Sequence, residues 1–181
     1  EFGGDMLVGN GGGCTGINSF DTNSNGGSGA GAYVYQNGGD ENQSSENSVL
    51  TSGFVTNFGN DGGHHVAPTA GQYGATGGGG AGAAGHDGTG SVTADNGDGG
   101  VGIQEGVDFY INGTGNWYAG GGGGTCATCA VGGTGGGGNG GNWGACNGQS
   151  GTANTGGGGG GHDSRGSGTQ NFSGGSGIII I

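Results

Sequence analysis

The chain has 181 residues, of which 61 are Gly and one is Pro; hydrophobic residues make up 28% and the formal net charge is −12. A single Pro excludes collagen, and a single basic residue, Arg165, leaves no electrostatic footprint for nucleic acid or anionic lipid. The longest apolar run, 178–181, falls far short of the roughly 20 residues of a membrane-spanning helix. So few apolar side chains cannot offset about 1–2 kcal/mol of backbone ordering per residue, and Gly loses the most. Composition alone therefore predicts disorder unless the backbone N–H and C=O groups supply the order themselves.

In chain order, Glu1 follows no initiator Met, basic stretch or signal-type apolar segment, and reads as the start of a processed or trimmed chain. The four Cys, with so few cationic residues, point to an extracellular setting. Helix is expected essentially nowhere, because Gly costs about 1 kcal/mol per helical position and no window carries uninterrupted apolar residues at helical spacing. Short strands are expected at 5–8, which holds Met6, Leu7 and Val8, then at 32–35, 48–58, 91–93, 107–111 and 177–181, ending in Ile178, Ile179, Ile180 and Ile181. Between them lie glycine blocks at 77–80, 120–124, 135–138 and 156–161. Gly-His-Asp recurs at 85–87 and 161–163, and Gly-Asn-Trp at 115–117 and 141–143. Such degenerate repeats favour a layered architecture within one domain, 1–181, with a strand-richer variable part (1–72) and a glycine-block part (73–181).

A polyglycine segment can adopt an extended helix with three residues per turn and about 3.1 Å rise, without internal hydrogen bonds. Its N–H and C=O groups then point sideways, and neighbouring segments can bond one another where no Cβ holds the backbones apart. The expected fold class is mainly β and irregular: short strands with packed polyglycine II-type segments.

From about Tyr73 to Ile181 the chain resembles the glycine-rich domain of phage tail-fibre and bacterial surface proteins, many of them marine. The opening Asp5-Met6-Leu7-Val8 running into Gly11-Gly12-Gly13, Tyr118-Ala119-Gly120, Thr152-Ala153-Asn154-Thr155-Gly156, and Gly174-Gly175-Ser176-Gly177 before the terminal isoleucines carry the likeness. The resemblance implies an extracellular display or structural role and no catalytic residues. It also carries the character of polyglycine-block adhesins, which present receptor-binding loops between glycine segments.

The remaining candidates have competing readings. Cys126 and Cys129 form a CxxC with Cys14 and Cys146 outside it. No helix or βαβ context supports a redox motif, and two disulfides suit a core-poor extracellular chain better than zinc. The favoured pairing is Cys129–Cys146 with Cys14–Cys126, and four cysteines allow three connectivities. Asp21, Asn23 and Asn25 offer alternate oxygen ligands, but Ala32 stands where a bidentate Glu should close a calcium loop, so a polar turn is the better reading. No cofactor is expected; weak calcium binding, there or at Asp87, Asp95, Asp98 or Asp163, is the alternative. His64-His65, His86-Asp87 and His162-Asp163 read as turn residues, since neighbours on an extended chain project oppositely. Trp117, Tyr118 and Trp143 read as rim packing, with glycan contact as the sharper alternative. Asn42, Asn112 and Asn171 match the glycosylation acceptor pattern.

The functional expectation is a non-catalytic extracellular subunit of a fibre, filament or surface layer. The strands at 2–8 and 178–181 would pair with each other or with the next copy by strand addition, the second making a homopolymer by self-association. The alternative is a tail-fibre or adhesin module whose loops, such as 40–48 and 61–71, bind a cell-surface receptor or glycan. Its setting would be the cell surface or a virion fibre.

Overall fold

The computed structural model describes residues 59–64, 75–88, 97–106, 115–125, 129–141, 147–161 and 172–177. These include all four glycine blocks. Among the described residues there is no helix, and two short strands, β1 (Ile103–Gln104) and β2 (Trp117–Tyr118), pair antiparallel with Ile103 opposite Tyr118 and Gln104 opposite Trp117. The strands expected at 5–8, 32–35, 48–58, 91–93 and 107–111 lie outside the described residues. So does the strand expected at 177–181, apart from Gly177, which belongs to no strand. The sequence reading did not anticipate β1 or β2. They form where Ile103, Trp117 and Tyr118 interrupt the glycine and supply the β-branched and aromatic side chains that suit a pleated surface.

The rest of the order comes from hydrogen bonds between segments. Segment 119–125 is the hub. On one side the N–H groups of Ala75, Gly78 and Ala81 donate to the carbonyls of Thr125, Gly122 and Ala119 at 3.2, 2.9 and 2.8 Å. The two chains run in opposite directions, and each advances three residues per bond. On a second side Gly124 and Gly121 donate to Gly97 and Gly100 at 2.7 and 2.8 Å, a line that the Tyr118–Ile103 pair of the strands continues. On a third, Gly120 and Gly123 donate to Gly135 and Gly138 at 3.1 and 2.9 Å, with the chains parallel. On a fourth, Gly158 and Gly161 donate to Gly120 and Gly123 at 2.9 and 2.8 Å, again parallel. Gly133 closes a fifth side onto the Gly121 carbonyl at 2.8 Å.

The same step of three runs outward from the hub. Gly138 and Gly141 donate to Gly158 and Gly161, Thr152 and Gln149 donate to Gly136 and Asn139, and Gly85 and Gly88 donate to Asp61 and His64. Apart from the turn bonds Gly80 to Ala83 and Gly137 to Gly133, these bonds join stretches well separated in the chain. A bond every third residue is neither an α-helix nor a ladder, whose side chains alternate with a period of two.

Close approach explains why the hub is glycine. A Cβ on Gly121 would collide with the Gly78 carbonyl oxygen, and one on Gly122 with that of Gly159. Gly120 to Gly124 are all buried, so their polar groups need the partners they have. The buried hydrophobic side chains among the described residues are alanines, Ala75, Ala81 and Ala130, while Val101 and Val131 are exposed. At about 0.5–1.5 kcal/mol net per bond, the backbone network supplies what an apolar core supplies elsewhere. The turns that return the chain use the left-handed region, with Gly135 and Gly136 at φ 106° and 91° and Asn154 and Gly156 at φ 62° and 70°.

Candidate functional site

The candidate site is the surface of this bonded array, because its interior is backbone. β2 places Trp117 and Tyr118 at the mouth of the hub segment, both half-buried. Gly102 and Gly135 press against the Tyr118 main-chain carbonyl, where a Cβ on either would collide, so the backbone of β2 is seated on glycine. That placement fits a packing role and leaves part of each residue exposed. Trp143 lies outside the described residues.

The His and Asp residues pair in a way that adjacency in sequence does not suggest. Asp87 meets His64, from another segment, and not its neighbour His86. The His64 N–H donates to Asp87 Oδ1 at 2.7 Å, and His64 Nδ1 stands 3.8 Å from the same oxygen. Gly88 N–H returns a bond to the His64 carbonyl at 2.9 Å. Both side chains are about half exposed, at 47% and 52%, so the ionic part of this contact is worth only about 0–1 kcal/mol. It acts as a clamp between two segments. His86 donates its own N–H to the Asp98 carbonyl, and Asp98 Oδ1 accepts the Val131 N–H at 2.6 Å. Two of the weak calcium candidates, Asp87 and Asp98, thus bind backbone N–H groups. Among the described residues no group of three or more His, Cys, Asp or Glu could hold a metal ion.

Side-chain amides and hydroxyls stitch the edges in the same manner. Asn60 Nδ2 donates to the Gly80 carbonyl at 2.9 Å, and Asn139 Oδ1 accepts from Gly132 N–H at 2.9 Å. Thr155 Oγ1 accepts the Gly157 N–H and donates to the Thr152 carbonyl, closing the turn before the last glycine block. Sequence reasoning missed these contacts: the Asn60 bond depends on which segments lie side by side, and the Thr155 bonds on a local turn.

Cys129 is exposed and its sulfur is in a disulfide. Cys14, Cys126 and Cys146 lie outside the described residues, as do Asp21, Asn23, Asn25, Asn42, Asn112, Asn171, Asp95, Asp163 and the strand residues Met6, Leu7, Val8 and Ile178 to Ile181. Of the loop expected at 61–71, residues 61–64 are part of the bonded array, and the loop expected at 40–48 is outside the described residues. No described helix is long and apolar enough to cross a membrane.

The family model for a glycine-rich domain matches residues 2–181, so the likeness extends through the N-terminal part as well as the glycine blocks. No curated protein and no solved structure matches the chain.

Proposed function

The chain belongs to the glycine-rich domain family, and from that premise we propose that it is a non-catalytic extracellular structural protein, a subunit of a fibre, filament or surface layer. We read its glycine blocks as polyglycine II-type rods stacked side by side, with disulfides as covalent staples. The observation that carries this reading is the hub: segment 119–125 bonds four other segments at three-residue steps, both parallel and antiparallel, and a fifth through one bond. A three-residue turn explains it, because such a rod points polar groups in three directions and can accept neighbours of either polarity. A body built this way is stiff and carries little catalytic furniture, which suits a building unit. Pairing of the terminal strands between copies, by strand addition, would make a homopolymer.

A second reading, a tail-fibre or adhesin module that binds a receptor or glycan through the stretches joining the glycine blocks, is favoured by the part-exposed Trp117 and Tyr118 at the edge of the array. Electron microscopy of the purified full chain separates the two. Filaments with this chain as the sole repeat are the expected result. Discrete particles that adsorb to cells or glycans would overturn the structural reading in favour of the adhesin.

A further inference from the structure

Glycine-rich chains that use Asn as a spacer carry an intrinsic chemical weakness. In an Asn-Gly pair the glycine has no Cβ to shield its nitrogen, which can attack the neighbouring Asn side chain once deprotonated. The described residues contain two such pairs, Asn139–Gly140 and Asn147–Gly148, and the array treats them differently.

Asn139–Gly140 is held at its reacting atoms. The Gly140 N–H, which would have to be freed, donates to the Ala130 carbonyl at 2.9 Å, and Asn139 Oδ1 accepts from Gly132 at 2.9 Å. The Asn139 carbonyl between them takes the Gln149 N–H at 2.9 Å, and Gly140 is buried. At Asn147–Gly148 the Gly is buried too, but the Asn is exposed, and among the described residues nothing accepts the Gly148 N–H or bonds the Asn147 side chain.

We infer that Asn147 is a spontaneous deamidation site and that the backbone array protects Asn139. A bond forms between Gly148 N and Asn147 Cγ, the Cγ–Nδ2 bond breaks, and the side-chain amide leaves as ammonia with the glycine proton. Solvent water then opens the resulting succinimide at either carbonyl, giving aspartate or isoaspartate. The net exchange is one water for one ammonia, and it adds a negative charge. The isoaspartate product also lengthens the backbone by a methylene next to Gly148, which is packed so closely under the Phe172 ring that a Cβ there would collide with it.

The test is to age the full-length, oxidised protein at mildly alkaline pH and physiological temperature and follow chymotryptic peptides by tandem mass spectrometry. Cleavage after Tyr118, Trp143 and Phe172 puts Asn139 and Asn147 on separate peptides. The expected result is that Asn147 converts to acid and Asn139 lags by about tenfold or more, since its reaction waits for local opening of the array. In reduced, denatured protein the two are expected to convert at similar rates. Equal rates in the folded protein, faster conversion at Asn139, or an intact Asn147 after Asn139 has converted in the denatured sample would overturn the inference.

Discussion

At the scale of single residues, the decisive property is the absence of a side chain at the hub. Gly121 donates to Gly100, accepts from Gly133, and sits where a Cβ would strike the Gly78 carbonyl. Gly121→Ala forces at least one neighbouring segment outward and is expected to cost about 3 kcal/mol, by overpacking and by loss of the bonds on that line. Gly177→Ala is the matched control, because a Cβ there meets nothing within 4 Å and the residue is exposed. Both substitutions stiffen the unfolded chain by about the same amount, so their difference reports the folded state. Denaturant melts should place Gly177→Ala within about 0.5 kcal/mol of the parent protein. Equal midpoints for the two variants would mean that the hub is not packed as described.

At the scale of elements, a segment is defined by its neighbours more than by its own sequence. Ala119, Gly120, Gly121, Gly123 and Gly124 donate to three different stretches of chain, whereas no described acceptor takes the N–H of Gly174 or Gly177 at the array's edge. Hydrogen exchange resolved to single residues should therefore find the hub amides opening only with global unfolding, and those at Gly174 and Gly177 exchanging early. Uniform fast exchange across 119–124 would remove the hub. This also explains what could be read from the sequence. The lack of helix among the described residues and the importance of the glycine blocks were legible, because both follow from what Gly does to a backbone. Which block lies against which was not, since runs such as 77–80 and 135–138 are nearly identical and carry no address. For the same reason β1 and β2 were missed: Ile103–Gln104 and Trp117–Tyr118 are too short to show a period, and only their alignment along the line from Gly97 and Gly100 makes them a pair. The His64–Asp87 contact was hidden in the same way, while the sequence offered the misleading adjacency of His86 and Asp87.

At the scale of the whole molecule, the stabilising terms differ in kind from those of an ordinary domain. The heat-capacity change of unfolding follows newly wetted apolar surface, with polar surface acting in the opposite sense. A chain whose described apolar interior is Ala75, Ala81 and Ala130, with its order held in backbone bonds, should fall below the usual figure of about 12–15 cal/mol/K per residue. Scanning calorimetry checks this, the expected outcome being a low heat-capacity step and a stability curve flatter with temperature. A step in the ordinary range would point to an apolar core elsewhere in the chain.

The step of three between successive bonds also bears on how such a chain can change over generations. A glycine block that gains or loses three residues brings every later donor back to the same bearing, so the neighbours it meets are unchanged and only its reach differs. A gain of one residue swings everything beyond it by a third of a revolution and presents each donor to a different neighbour. Length variation among relatives of this chain is therefore expected to fall in threes inside the blocks and freely in the stretches between them, a reading frame written in space on top of the one written in codons.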